Sequence, residues 1–133
     1  MAASWNKKNL KVFIKNTLGC GCPDKVFEKI DVGDLQTGER EKMITRVVVG
    51  DTLLIYVMQR ESSGNLVDRV ESVGLAGKTD RDTNSYNRFR LVISGFEDVA
   101  QQKEISERFS KSFGADEKMH IHFVNKELID GLN

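Results

Sequence analysis

Two apolar runs, Met43 to Val49 and Thr52 to Met58, meet at Gly50-Asp51, and no other feature limits the fold of this chain so sharply. Both runs are dense in Val, Ile, Leu and Tyr, residues that suit a pleated and buried surface. A Gly-X pair between two such runs is a hairpin signal of the II′ kind, so two antiparallel strands are predicted here. A hairpin this apolar has to be covered, and the cover must come from helices elsewhere in the chain.

The flanking segments supply strands and helices by period. Residues 9 to 16 place Leu10, Val12 and Ile14 on one face and Lys11, Phe13 and Lys15 on the other, a period-two pattern that predicts a first strand. Two glycines break it between Thr17 and Gly21, and Pro23 follows where a first helical residue suits it, since its missing N–H would find no intrahelical acceptor there. Val26, Phe27 and Ile30 then predict a short helix that ends before Gly33, and the polar stretch Asp31 to Lys42 reads as a loop. Leu66, Val70 and Val73 predict a helix over 66–76 closed by Gly77, and Lys78 to Asn87, apolar only at Tyr86, reads as an exposed loop. Phe89, Leu91 and Ile93 mark a strand that stops at Ser94-Gly95. Ile105, Phe109 and Phe113 mark a helix stopped by Gly114, Met119 to Val124 a last strand, and residues 126–133 a short terminal turn.

That order predicts an α+β fold, a two-layer α/β sandwich with a ferredoxin-like βαββαβ core and one added αβ unit; a thioredoxin-like arrangement is the alternative. At 133 residues, with 39% hydrophobic and 30% charged side chains, the chain is expected to form one domain, 1–133, with a packed core. Lys plus Arg equals Asp plus Glu at 20 each, so no global field favours nucleic acid or anionic lipid. The sequence has no run of apolar residues long enough for a membrane span, and the expected compartment is the cytoplasm.

Chemistry concentrates in Leu18-Gly19-Cys20-Gly21-Cys22-Pro23-Asp24, which holds both cysteines and the only proline. Reducing cytoplasm disfavours a structural disulfide, so Cys20 and Cys22 are candidates for reactivity or metal binding, with inert packing as small apolar residues the other reading. Cys22, expected at a helix N-cap, would have its thiol pKa lowered by unpaired N–H groups and the positive dipole end; Cys20 would resolve a mixed disulfide. In cysteines, glycine and proline between a first strand and helix, about five residues, the turn resembles that of thioredoxin-like proteins. Its C-x-C spacing differs from their C-x-x-C, and the smaller ring implies a labile disulfide.

The alternative is a soft-metal module, for zinc or copper, in which Cys20 and Cys22 are joined by His120 and His122 of the last strand. Copper chaperones also carry cysteines after the first strand of a ferredoxin-like fold, again as C-x-x-C. A non-enzymatic interaction domain is the third reading. Arg88 and Arg90 share a strand face and are candidates for an anion or a partner's carboxylate. Gly77-Lys78-Thr79 imitates the end of a phosphate-binding loop, but position 72 is Ser where that motif needs Gly. No cofactor, substrate, partner protein or oligomeric state is named by the sequence.

Overall fold

The computed structural model describes residues 5–17, 24–35, 44–59, 66–95 and 98–132. At its centre is a five-stranded mixed sheet of β1 (Ile30–Leu35), β2 (Ile44–Val49), β3 (Leu53–Gln59), β4 (Arg88–Ser94) and β5 (Met119–Val124), in the spatial order of the sequence. The first three strands form an antiparallel meander. β3, β4 and β5 run parallel, joined through α2 (Leu66–Thr83) and α3 (Val99–Phe113). Two helical crossovers that add strands in one direction with one hand must lie on one face, and α2 and α3 do so.

Alternation along the strands divides the sheet. Ile44, Val48, Leu54, Tyr56, Met58, Phe89, Leu91, Ile93 and Met119 pack against Val70, Val73, Ile105, Phe109 and Phe113 of α2 and α3. The opposite face offers Val47, Val49, Leu53, Ile55, Val57, Val92 and Val124 to Trp5, Leu10, Phe13, Ile14, Phe27, Ile129 and Leu132. Those residues belong to α1 (Lys7–Val12), the π turn Phe13–Thr17 that continues it, the 3-10 turn Asp24–Glu28 and α4 (Lys126–Asp130) with its flanks. The sheet is thus covered on both faces, not on one. Trp5 packs on the domain.

The strand expected over residues 9 to 16 is helical. Asn6 Oδ1 accepts from the amides of Lys8 and Asn9, which starts α1 and satisfies two of its unpaired donors. Leu10, Phe13 and Ile14 are buried at helical spacing, whereas Val12, the middle of the alternating pattern, is 52% exposed. The expected helix after Pro23 is only the 3-10 turn Asp24–Glu28. Ile30 leaves it to open β1, in the stretch read as a loop, and pairs with Val49. With a helix at the start and a strand where none was expected, neither the βαββαβ order nor a thioredoxin-like one is observed. The fold is a mixed α+β one with the order α, three strands, α, β, α, β, α.

The hairpin forms, but both Gly50 and Asp51 have positive φ, 58° and 55°, the signature of a type I′ turn and not of II′. α2 runs six residues past its expected stop at Gly77 and absorbs most of the supposed loop Lys78 to Asn87. Gly77 is no terminator: a Cβ there would lie 2.3 Å from the Phe89 ring, and one at Gly74 would lie 2.5 Å from the ring of Phe113. These glycines let α2 approach the core. The polar residues of its last turns stay helical because their partners are elsewhere. Asp80 receives Nε and Nη2 of Arg46 at 2.7 and 2.9 Å and the Tyr56 hydroxyl at 2.6 Å, tying α2 to β2 and β3. Arg81 bonds to Asp116 at 2.6 Å, tying it to the turn before β5.

Candidate functional site

β4 and β5 position the polar groups of the sheet. Phe89, Leu91 and Ile93 enter the α2–α3 core, so the alternate residues Arg88, Arg90 and Val92 take the other face. On β5 the same alternation gives that face His120, His122 and Val124. Register sets Arg90 beside His120 and Val92 beside His122. Arg90 is only 7% exposed, and its Nη1 reaches 2.8 Å from Nε2 of His122. Two cationic and two imidazole side chains therefore share one patch of the face covered by α1, the π turn and α4.

Burial governs its electrostatics. It pulls the Arg90 guanidinium below its ordinary range, helped by the charge of Arg88. It lowers His122 to about 4, with Arg90 and then His120 adding to the effect, so this imidazole is neutral at pH 7. His120 is lowered by burial and by Arg90 and Arg88, against the opposing pull of the Glu117 carbonyl and of Asp116.

Cys20 and Cys22 lie outside the described residues, as does Pro23. Their neighbours in sequence are described: the π turn ends at Thr17 and the 3-10 turn opens at Asp24. Phe13 and Ile14 before the cysteines, and Val26 and Phe27 after them, pack on the face that carries Arg90, His120 and His122. His120 and His122 are brought together with Arg90. Among the described residues there is no group of three or more His, Cys, Asp or Glu side chains placed to hold a metal ion.

Arg88 and Arg90 were singled out in the sequence by their shared strand face; the bond from Arg90 to His122 was not, because pairing between strands is not local. The Arg46–Asp80–Tyr56 network was missed for a different reason. Asp80 stood in a stretch whose polarity reads as solvent exposure, yet its side chain is 15% exposed. Its role is structural, holding α2 on the meander. Gly77-Lys78-Thr79 lies within α2 and forms no loop. A groove of about 410 Å³ runs between α1 with its π turn and α4, with Val12, Phe13, Leu128 and Leu132 among its walls. No helix among the described residues is long and apolar enough to cross a membrane. Comparison of the chain with protein-family models, with curated proteins and with solved structures returned no match.

Proposed function

We propose that this chain is a small thiol-chemistry protein, acting in thiol–disulfide exchange or sulfur transfer through Cys20 and Cys22. One observation supports the reading above the others: the segments that enter and leave the C-x-C turn pack on the same sheet face as Arg90, His120 and His122. Cys20 and Cys22 stand in sequence between those two segments. A buried guanidinium near a thiol favours the thiolate, which is the attacking species in exchange. In the step itself one thiolate forms a new S–S bond as the substrate disulfide breaks, its outer sulfur leaves with the electron pair, and the second cysteine resolves the mixed disulfide.

The test is alkylation by iodoacetamide at pH 7. Cys22 is expected to react far faster than a model thiol, and Arg90→Gln is expected to slow it several-fold. Mild oxidation should yield an intramolecular Cys20 to Cys22 disulfide that dithiothreitol reverses. Slow alkylation of both cysteines in the folded protein would sink the proposal. A soft-metal module built on the same two thiols is the second reading. It gains if zinc or copper(I) titration shows stoichiometric binding that a Cys22→Ser variant loses.

A further inference from the structure

The sheet has two edges, β1 and β5, and they are built differently. β1 reads Ile-Asp-Val-Gly-Asp-Leu, with Asp31 and Gly33 exposed, and two carboxylates and a glycine in so short a strand deter another strand from adding there. β5 reads Met-His-Ile-His-Phe-Val and carries no acid, lysine, glycine or proline. Its central residues, His120 to Phe123, are half-buried, and its register to β4 runs without a bulge. An apolar, regular edge of this kind is a template for a further strand.

The ladder to β4 shows which way the backbone of β5 faces. Phe89 N–H donates to the Lys118 carbonyl at one end and Gly95 N–H to the Val124 carbonyl at the other. His120 and His122 therefore bond inward, and Met119, Ile121 and Phe123 turn their N–H and C=O groups to the outer side. The Met119 N–H is taken by the Asp116 carbonyl; the backbone of Ile121 has no partner among the described residues.

We propose that β5 pairs antiparallel with β5 of a second copy of this chain, about a two-fold axis at Ile121, so that the two sheets become one. A strand that fits this edge must be apolar at every second residue, opposite Met119, Ile121 and Phe123, and β5 itself meets that demand. In this register Ile121 exchanges both backbone bonds with its counterpart, and Phe123 N–H donates to the Met119 carbonyl of the second copy. Residues directly opposite share a face: Met119 with Phe123 and Ile121 with Ile121 on the α2–α3 side, His120 with His122 on the other. Charge selects the register. Just past the strand ends Lys126 comes opposite Asp116, which also bonds to Arg81, and Lys118 comes opposite Val124. Moving the axis to His122 would instead set Lys118 against Lys126 and Glu117 against Glu127, two repulsive pairs.

Six residues are few beside the roughly 20–30 a side of a standard interface, so the dimer is a weak one. Sedimentation equilibrium of the full chain at pH 7, with reductant, should show the mass rise from 15.0 kDa toward twice that value between about 5 and about 500 µM, as micromolar affinity requires. Over the same range amide exchange at Ile121 should slow several-fold. A mixture of ¹³C-labelled and unlabelled chains should give an intermolecular NOE between Hα of His120 and Hα of His122, the closely spaced pair of this register. Ile121→Lys, which sets two ammonium groups across the axis, should keep the parent's circular dichroism and stay monomeric, whereas Asp31→Lys on the other edge should dimerise as the parent does. A parent that stays monomeric throughout, or a dimer that leaves Ile121 exchange unchanged, overturns the proposal. If Ile121→Lys does not fold, exchange and NOE in the parent decide the matter.

Discussion

Replacing Gly77 by Ala tests the packing of α2 against the sheet most directly. In an ordinary helix interior the change is favourable by about 1 kcal/mol, because Gly carries the larger entropy cost. Here the new Cβ would meet two atoms of the Phe89 ring at 2.3 Å and a third at 2.9 Å. Carbon contacts settle near 3.5 Å, so a separation of about 1.2 Å has to be found. Phe89 cannot supply it by turning outward, since it is fully buried and meets the edge of Tyr56 at 5.1 Å with the ring planes 88° apart. Tyr56 is itself held by Asp80, so either α2 moves away or the aromatic pair is broken. Overpacking of this kind costs roughly 1–3 kcal/mol and a lost aromatic pair about 1 kcal/mol more, leaving a net destabilisation of about 2 kcal/mol after the helix gain. Urea unfolding followed by circular dichroism should show the midpoint fall at unchanged slope. Phe89→Leu combined with Gly77→Ala should cost less than the sum of the single changes by about 1 kcal/mol. A Gly77→Ala protein as stable as the parent, or strictly additive behaviour of the pair, would refute the close approach.

Asp80→Asn is expected to lose about 2–3 kcal/mol in the same assay, because the negative charge and one of the two acceptor oxygens that serve Arg46 and Tyr56 are lost and an NH2 donor takes that oxygen's place. Arg46 first, then Tyr56, holds the Asp80 carboxyl below its ordinary value of 3.8, so its contribution is present above that pH and fades as pH falls further; the acid-unfolding midpoint of Asp80→Asn should be correspondingly less steep. For His122 the folded pKa of about 4 lies below the ordinary 6.5, so the unfolded chain binds more protons between these values and stability falls as pH drops through that window. The gap corresponds to at most roughly 3 kcal/mol and, with solvent screening of a half-buried ring, to about 1.5 kcal/mol. Unfolding free energies measured at pH 7 and pH 4.5 should diverge less in His122→Asn, and equal divergence would contradict the burial assigned to the ring. Gly50→Ala should destabilise by about 2 kcal/mol, since it combines a φ of +58° with a Cβ 2.7 Å from that of Val26; a neutral result would displace the 3-10 turn from the hairpin.

Long-range packing explains what could be read from the sequence and what could not. β4, β5 and α3 were legible because burial on one face or two writes a clean period into each: Phe89, Leu91 and Ile93, or Ile105, Phe109 and Phe113. The N-terminal segment misled because Leu10, Val12 and Ile14 satisfy period two while Leu10, Phe13 and Ile14 satisfy the helical period, and eight residues do not decide between them. The Asn6 cap was the deciding signal. β1 was hidden by its composition, Ile-Asp-Val-Gly-Asp-Leu, which a lone segment would not keep as a strand and which pairing with β2 stabilises. In the candidate site, the shared face of His120 and His122 and of Arg88 and Arg90 followed from alternation alone. The contact between Arg90 and His122 depended on which strands are neighbours, a matter of topology.

The reversal of direction at β3 also bears on how the chain assembles. On one side β3 meets β2 across a turn of a few residues, a closure of microseconds that fixes its own register. On the other it pairs with β4, from which the whole of α2 separates it in sequence. The same strand therefore ends the local half of the fold and begins the non-local half, and loop-closure entropy orders the two in time. Arg46 on β2, reaching Asp80 of α2, is a side-chain link between the two halves.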